Sequence, residues 1–436
     1  MLRDFISKLE KNRQLIKIKK PVSARLEASG ILKALDGTPV LFENVRGYNY
    51  RVIGNLFSSR ALIAQYLKTT PEKLIFRMAR AIDKPTKPTL VKNAPCHEVV
   101  ETGVDLNKIP ILFHCAKDGG PYISAGVVVA RDSEYGRNCS FHRLMKIEKN
   151  KFTLRILPRH LDAFIKRNGG ELDVAVAIGN PVNFLLAAAT SIELGADETW
   201  IANSLEPITI ARCKTVDVEV PAQSEFVLEG RITKEAAREG KFVDLTETYD
   251  IVREQPVLEV KKITRRRGAL YQALLPGAME HKLLMGMPRE PTIYREVSKV
   301  CRCENVALTL GGCSWLHAVV QIDKKKEEDG KNAIEAAFRG HHSLKHVAVV
   351  DKDIDINRVS EVEWAIATRF QAKTGLVVKL NEKGSSLDPS ADPLTRETSK
   401  MGIDATAPLQ TKGKDFKKAE FPKVKLGKYG VGNVCV

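Results

Sequence analysis

The chain has 436 residues, of which 43% are hydrophobic and 28% are charged, as in an ordinary globular protein. This length allows two or three domains, and this composition excludes wholesale disorder. The formal net charge of +16 suits either nucleic acid or small anionic molecules as partners. Because only 6% of the residues are aromatic, few side chains can stack on bases, so we expect a solvated basic surface and no nucleic-acid partner.

Targeting and redox signals are weak. Residues 1–8 mix charges of both signs, and no run approaches the roughly 18 apolar residues that a membrane helix needs. We therefore expect a cytoplasmic protein without a membrane span.

The eight cysteines are scattered, and the only close pair, Cys301 and Cys303, has no second pair at zinc-site spacing. Reduced thiols are therefore favoured over a zinc site.

The first region alternates helix and strand signals. Apolar residues at helical spacing over 2–9 predict a helix, and the patterns of 16–18 and 40–42 predict two strands. Prolines among polar residues over 83–95 indicate a linker. We assign an N-terminal α/β domain to residues 1–98.

The middle region is rich in short, β-branched stretches that Gly, Pro and Asn interrupt. This pattern favours an antiparallel sheet or a barrel. A helix predicted over 293–300 closes the central domain, which we assign to residues 99–300. The predicted strands are 125–130, 153–157, 174–178, 208–212 and 226–228.

The last region, 301–436, returns to an α/β pattern. An apolar run over 346–350 predicts a strand that ends at Asp351, and four residues within 362–369 share one helical face. The tail after Asp404 is polar and basic, which indicates an extended arm or a docking element.

No general catalytic motif is present, neither a P-loop nor a dinucleotide-binding, zinc-protease or serine-hydrolase signature. Two polar clusters, 138–143 and 154–160, lie at the ends of predicted neighbouring strands. Their arginines are forked, permanently charged donors for carboxylate or phosphate, so the clusters suit a phosphate and a metal. A hairpin with polar surface residues is the alternative.

Small residues over 187–191 precede Asp197 and Glu198. Small side chains let a backbone approach a ligand closely, and a carboxylate beyond them suits a hard cation. The same pattern equally describes a buried helix end with a capping acid.

A third candidate group consists of acids, since paired carboxylates can keep one group protonated while another stays charged. A solvated acidic surface is the alternative. Two later segments, 384–390 and 402–406, look like turns without an assigned function. The acids of the third group are Glu225, Glu229, Glu239, Asp244 and Asp250.

Short segments in a characteristic order are found at 2–6, 42–45, 54–57, 275–281, 350–355, 364–365, 387–390 and 402–406. On these segments the sequence resembles the UbiD family of prenylated-flavin-dependent decarboxylases along nearly its whole length. The resemblance implies a fold of the class α/β plus β. It would consist of an N-terminal α/β domain, a central split β-barrel related to flavin reductases, and a C-terminal α/β domain.

The resemblance also implies three cofactors: prenylated FMN, Mn²⁺ and a monovalent cation, K⁺. Asn138 and Glu198 match the metal ligands of the family, and His160 matches a position that assists with metal or phosphate in some members. The K⁺ site matches Ala189, Thr190 and Ser191. The implied flavin contacts are Phe141, His142, Arg143, Arg155, Ile156, Leu157, His160 and Leu161, together with Thr190 and Ser191.

Catalysis in the family uses an arginine and two acids, which match Arg143, Glu239 and Asp244 here. By this resemblance, Arg143 orients the substrate carboxylate and keeps Glu239 ionised, and Asp244 donates a proton. Asp244 is then expected to be protonated in a hydrophobic, partly desolvated setting.

The chain departs from the family pattern in two loops. Lys241 and Val243 replace a proline and a glycine between the two acids, and the usual Ser-Glu-Tyr-Glu reads Asp-Glu-Thr-Trp over 197–200. The acids keep their spacing, so the charged groups are retained.

The resemblance implies a carboxy-lyase for an α,β-unsaturated acid. The segment 342–346 before the strand at 346–350 is similar to archaeal members, which favours conversion of trans-anhydromevalonate 5-phosphate to isopentenyl phosphate in a modified mevalonate pathway. A 4-hydroxy-3-polyprenylbenzoate in quinone biosynthesis is the alternative substrate. A non-catalytic flavin-binding or partner protein is the alternative of another class. A flavin prenyltransferase as cofactor supplier and a homo-oligomer, either dimer or hexamer, are also implied.

Overall fold

The computed structural model describes residues 1–410, 415–422, 424 and 428. Its N-terminal region alternates helices with short strands, as predicted. The elements are α1 (Leu2–Lys11), β1 (Ile16–Ile18), α2 (Glu27–Ala34), β2 (Val40–Phe42), β3 (Arg51–Gly54), α3 (Arg60–Tyr66) and α4 (Leu74–Asp83).

Helix α1 forms where the apolar spacing predicted it. Leu2, Phe5, Ile6 and Leu9 lie on one face and are all buried, so the helix packs its apolar stripe against the core. An acid in its first turn and lysines in its last turn match the direction of the helix dipole.

The central region is predominantly β-structure, and the segment predicted as a linker contains its first short strand. The elements are β4 (Thr89–Leu90), β5 (Val99–Val100), β6 (Tyr122–Ile123), β7 (Val127–Asp132), β8 (Gly136–Phe141), β9 (Leu144–Lys146), β10 (Lys151–Leu154), α5 (His160–Arg167), β11 (Leu172–Ile178), α6 (Val182–Ala188), α7 (Glu198–Leu205), β12 (Thr209–Arg212), β13 (Glu219–Pro221), β14 (Phe226–Glu239), β15 (Arg253–Arg265), β16 (Leu270–Gln272) and α8 (Met279–Gly286).

An antiparallel sheet of nine strands dominates this region, in the order β6-β9-β10-β15-β14-β11-β7-β8 with β5 added beside β15. Strand β14 continues far beyond the predicted 226–228 and ends at Glu239. Register shifts after Glu229 and Ile232 bend it against β15. At Gly230 a Cβ atom would lie 2.2 Å from the Glu259 carbonyl oxygen, so only glycine fits this close approach.

The polar clusters 138–143 and 154–160 meet at the ends of two neighbouring strands, as predicted. Strand β9 begins at Leu144, directly after the first cluster, and β10 ends at Leu154, where the second cluster begins. The two strands are antiparallel neighbours with Leu144 opposite Leu154. The Arg155 backbone N–H then donates to the Arg143 carbonyl over 3.2 Å.

Two smaller sheets link segments that are distant in sequence. One has the order β1-β2-β3-β16, and the other has the order β13-β12-β4. The domain boundaries at 98 and 300 stay predictions.

The last region is α/β, as predicted, and its five-stranded sheet has the order β17-β18-β19-β21-β20. Ile293 and Val297 of α9 already belong to its apolar core. The elements are α9 (Glu290–Ser298), β17 (Cys303–Leu308), β18 (His317–Ile322), α10 (Asp329–Gly340), β19 (His346–Asp351), α11 (Val359–Arg369), α12 (Ala372–Gly375), β20 (Leu376–Lys383) and β21 (Glu397–Ala405).

The described part of the basic tail lies against α11. Arg369 Nη2 donates to the Phe416 carbonyl over 2.8 Å, and Lys418 Nζ lies 2.6 Å from a Glu361 oxygen. The segment 411–414 is outside the described residues. No helix in the described part of the chain is long and apolar enough to cross a bilayer.

Candidate active site

A cavity of about 600 Å³ lies between the central sheet and the C-terminal region. This volume is in the range of small-molecule and cofactor sites. Its walls come from the ends of β8 and β10, the segment between α6 and α7, helix α8 and the 383–387 loop. The cavity therefore draws its side chains from several distant parts of the sequence.

Arg143 follows β8 and meets three carboxylates at the cavity wall. Its Nε lies 2.6 Å from Glu239 Oε1, and its Nη2 lies 3.1 Å from Glu239 Oε2, so this pair is bidentate. Its Nη1 donates to Asp244 Oδ2 over 3.0 Å, and its Nη2 donates to Asp250 Oδ2 over 2.7 Å. Each nitrogen of the guanidinium therefore has a carboxylate partner, which fixes the orientation of the group.

Electrostatics stabilise this arrangement. Burial opposes the charge of Arg143, but the hydrogen bonds and negative charges of Glu239, Asp244 and Asp250 outweigh it and raise the pKa of Arg143. Burial likewise opposes the charged form of Asp250. Hydrogen bonds and positive charge from Arg253 and Arg143 overcome this effect and lower the pKa of Asp250 to about 2.

The acids predicted as one group separate into three. Glu239, Asp244 and Asp250 converge on Arg143, whereas Glu225 pairs with an arginine of α1 and Glu229 accepts the backbone N–H groups of 214 and 215. Glu225, Glu229 and Glu239 are all fully buried, so a solvated acidic surface is the wrong interpretation for them.

The setting expected for Asp244 was correct in its partial desolvation but wrong in its hydrophobic character. Its carboxylate accepts from the Arg143 guanidinium and from the Leu245 backbone N–H, and its side chain is 18% exposed toward the cavity. Arg143 and the Leu245 backbone N–H thus give Asp244 a polar environment.

Asn138 and Glu198 come together although 60 residues separate them. Asn138 Nδ2 donates to Glu198 Oε1 over 3.0 Å, and the Cys139 backbone N–H donates to Glu198 Oε2 over 2.9 Å. Burial raises the pKa of Glu198 to about 8, against the effect of these two hydrogen bonds. A buried carboxylate of this kind is a ready ligand for a hard cation.

Hydrogen bonds around Ser140 connect the Asn138 amide to His142. Ser140 Oγ donates to Asn138 Oδ1 over 3.0 Å, which agrees with the amide orientation that directs Nδ2 toward Glu198. Ser140 Oγ also lies 3.0 Å from His142 Nε2, and His142 Nδ1 lies 2.9 Å from the Arg155 carbonyl oxygen. Burial lowers the pKa of His142 to about 4.

The other predicted ligand positions are less defined. His160 begins α5 and lines the cavity, where burial and the charge of Arg159 lower its pKa. Thr190 and Ser191 line the cavity beyond α6. Within the described ranges, no three His, Cys, Asp or Glu side chains cluster as a metal site.

Most of the predicted site residues border this one cavity. Glu239 stands behind Arg143 and reaches the cavity only through it. Ile156 is the exception among the expected flavin contacts, since its side chain packs against an apolar core cluster and its backbone N–H donates to Gln255. The residues that line the wall are Asn138, Phe141, His142, Arg143, Arg155, Leu157, His160, Leu161, Thr190, Ser191, Glu198 and Asp244.

Sequence reasoning missed His281 as a site residue. It lies on α8 and lines the cavity, and the Gly277 backbone N–H donates to its Nδ1 over 3.0 Å. Burial lowers the pKa of His281, although the charge of Asp244 opposes this effect. The ring is therefore neutral with its proton on Nε2. Arg289 and Arg396 also line the cavity and were likewise not assigned to the site.

Comparison with protein families identifies the fold. Three models of the 3-octaprenyl-4-hydroxybenzoate carboxy-lyase match in order: the N-terminal domain over residues 6–82, the Rift-related domain over 89–279 and the C-terminal domain over 282–405. The chain belongs to the UbiD family. The family expected from the sequence is thus confirmed.

UbiD relatives match over nearly the whole chain. An anhydromevalonate phosphate decarboxylase from Methanosarcina mazei is 44% identical over 427 residues, which cover 97% of this chain and 99% of the relative. An enzyme of the same name from Methanothermobacter thermautotrophicus is 42% identical over 416 residues, with 94% and 97% covered.

Solved UbiD-class structures share the same architecture. HmfF from Pelotomaculum thermopropionicum in complex with FMN has a TM-score of 0.94 and 39% identity, covering 98% of this chain and 99% of that chain. An evolved dimeric form of HmfF in complex with prFMN has a TM-score of 0.90 and 37% identity, with the same coverage. A multidomain fold of mixed α/β sheets is therefore confirmed, and the flavin-reductase-like split barrel stays a prediction.

Proposed function

We propose that this UbiD-family chain is a prenylated-FMN-dependent decarboxylase that converts trans-anhydromevalonate 5-phosphate to isopentenyl phosphate. The observation that carries the chemistry is the contact of Arg143 with Glu239, Asp244 and Asp250 at the wall of a cavity that also contains Asn138 and Glu198. The substrate is supported by the relatives named anhydromevalonate phosphate decarboxylase, which are 42–44% identical.

The residues of the cavity suit the cofactors of this proposal. Asn138 and Glu198 would hold a divalent metal such as Mn²⁺ through oxygen atoms, with His160 as a third candidate. Phe141, Leu157 and Leu161 offer apolar surface to a flavin ring system. The K⁺ site at Ala189–Ser191, the split barrel, a prenyltransferase supplier, a homo-oligomer and a cytoplasmic location remain predictions of the same proposal.

In the mechanism, the bound prenylated flavin would supply the electron sink for loss of CO₂. Arg143 is positioned by Glu239 and presents Nη1 to the cavity. A substrate carboxylate that binds Nη1 displaces Asp244 from the guanidinium. Asp244, which lines the cavity, takes up a proton from solvent and donates it to the carbon that has lost CO₂.

His281, which lines the same cavity, assists. Because Nδ1 accepts from Gly277, its Nε2–H is the group available as a hydrogen-bond donor, and burial keeps the ring uncharged. A neutral donor orients the substrate without adding charge to a cavity that already holds many arginines.

Two alternatives fit less well. A polyprenylbenzoate would place a long apolar chain in the cavity, where unpaired arginines would lose their hydration without compensation. A non-catalytic flavin-binding protein would not need three acids on one arginine, since assembling them costs desolvation.

The test uses the chain co-produced with a flavin prenyltransferase. The holoprotein is incubated with trans-anhydromevalonate 5-phosphate or with 4-hydroxy-3-prenylbenzoate, and released CO₂ and the product are measured. Release from the phosphate alone is expected. Release from the benzoate alone would assign the quinone pathway, and a flavin spectrum without any CO₂ release would favour a binding protein.

A further inference from the structure

Three arginines from three distant parts of the chain border the cavity and have no ionic partner among the residues that the structure describes. Arg159 precedes α5, Arg289 precedes α9 and Arg396 precedes β21. Within the described ranges, none of the three guanidinium groups forms a hydrogen bond or an ion pair with a carboxylate, in contrast to Arg143. Such groups indicate a site for an anion.

Arg289 is the most informative of the three. It is only 7% exposed, and its Nε has no hydrogen-bond partner among the residues that the structure describes. Its guanidinium lies 5.3 Å from the ring centroid of Trp315, which is itself held by a 3.0 Å hydrogen bond from Nε1 to Ser385 Oγ. The arginine is therefore rigidly supported, but its hydrogen-bonding capacity is unused.

The three charges also lie close enough to repel one another. Burial lowers the pKa of Arg289 to about 9, and the charge of Arg159 adds to this effect. Burial also lowers the pKa of Arg159, with a further contribution from Arg396. Holding three unpaired cations together is costly, and a bound anion would remove this cost.

The balance of charged side chains in the cavity indicates how much negative charge a ligand can bring into it. Its acids are Glu198, Asp244 and Asp250, and the last two lie on Arg143. Arg155 lies 3.9 Å from Asp250 as well. Four cations remain unpaired in the described structure, and they are Arg159, Arg289, Lys383 and Arg396.

The substrate of the proposed function carries two anionic groups, a carboxylate and a phosphate monoester. The carboxylate is assigned to Arg143, and the flavin phosphate is assigned to the metal at Asn138 and Glu198. Neither of these two anions uses the four unpaired cations, and the charge of these cations is enough to balance one further dianion.

We propose that Arg159, Arg289 and Arg396 form the subsite for the substrate phosphate, which fixes the far end of the substrate so that its carboxylate reaches Arg143. This inference rests on the proposed function. Arginine forks match the geometry of phosphate oxygens, and Lys383 and Ser386 line the same cavity. The subsite thus selects a phosphorylated acid over the same acid with a free hydroxyl group in place of the phosphate.

The first test compares Arg289→Met with the control Arg295→Met. Arg295 lies on α9, is exposed and pairs with Asp83, so it shares the region but not the cavity. For each holoenzyme, kcat/KM is measured on the phosphorylated acid and on the same acid with a free hydroxyl. In R289M the preference for the phosphorylated acid should fall roughly 10- to 150-fold, mainly through KM. R295M should keep the wild-type preference, and an unchanged preference in R289M would overturn the subsite.

The second test does not depend on turnover. Protein loaded with FMN, whose own phosphate site is filled, is titrated with inorganic phosphate by calorimetry. Wild type and R295M should bind one phosphate, and R289M should bind it at least about tenfold more weakly. If R289M instead fails to retain FMN, the arginines serve the flavin phosphate and the inference is wrong. If phosphate binds as expected but neither acid is decarboxylated, only the proposed function fails.

Discussion

Arg143 and Glu239 form a bidentate ion pair in which the glutamate is fully buried. The distances are 2.6 Å from Nε to Oε1 and 3.1 Å from Nη2 to Oε2. Glu239 binds Nε and Nη2, Asp250 shares Nη2, and Asp244 contacts Nη1. The arginine therefore has one orientation, and the carboxylates of Asp244 and Asp250 both line the cavity that a substrate can enter.

We expect Asp244→Asn to reduce turnover by roughly 10²- to 10⁴-fold, because an amide cannot donate the proton that the product carbon needs. Released CO₂ and the incorporation of solvent deuterium into the product measure the effect. Glu247→Gln is the control, since Glu247 lies three residues further along and forms surface ion pairs with Lys282 and Lys33. Turnover of Asp244→Asn near the wild-type value would remove Asp244 as the proton donor.

We expect Glu239→Gln to destabilise the apoprotein by roughly 3 kcal/mol, because it leaves the buried Arg143 without its bidentate partner. Glu235→Gln is the matched control on the same strand, since Glu235 is exposed and its ion pair with Lys151 contributes less than about 1 kcal/mol. Urea unfolding curves of the two variants and wild type provide the free energies. Equal losses in both variants would show that the buried pair does not stabilise the fold.

Much of this fold was accessible from the sequence. The period-3.6 pattern of α1 and the apolar run of β19 predicted both elements, because burial of one face fixes such patterns locally. The spacing of Glu239 and Asp244 survived two loop substitutions, so the resemblance led to the correct partners of Arg143.

Other features depend on long-range packing that no local pattern encodes. Glu225 directly before β14 and Glu229 on β14 are acids like Glu239, but their partners are Arg3 and the backbone N–H of residue 214. No sequence pattern pointed to Arg289. Its role is inferred from the absence of an acid among its described neighbours and from its contact with the ring of Trp315. The polar setting of Asp244 was missed for the same reason, because it depends on the fold of its loop.

We expect Glu198→Gln to weaken Mn²⁺ binding by roughly 100-fold or more, because the amide removes the charge of the carboxylate ligand while keeping its shape. Titration of the apoprotein with Mn²⁺, followed by electron paramagnetic resonance of the free ion, measures the affinity. Glu193→Gln, an exposed acid in the segment before α7, serves as the control. If both variants bind Mn²⁺ like wild type, the metal lies elsewhere.

The buried Glu280 should make the stability of the fold depend on pH. Its side chain is fully buried on α8, where Oε1 accepts from the Phe57 backbone N–H over 2.9 Å and Oε2 has no partner among the described residues. Burial raises the pKa of Glu280 from 4.5 to about 8. Between these values the folded state holds a proton that the unfolded state has released, so the free energy of unfolding falls as pH rises.

This linkage predicts a slope of roughly −1.4 kcal/mol per pH unit from Glu280 between about pH 5 and pH 8. Glu280→Gln should remove this contribution, because glutamine keeps an acceptor for Phe57 but has no proton to lose. Urea unfolding of the apoprotein at pH 5, 6, 7 and 8 gives the free energy of unfolding of wild type and of Glu280→Gln. The contributions of all other titrating groups cancel in the difference between the two proteins. Glu363→Gln, at an exposed position of α11, should run parallel to wild type. If the curve of Glu280→Gln also runs parallel to wild type, Glu280 is ionised in the folded protein, and its three neighbouring backbone N–H groups outweigh its burial.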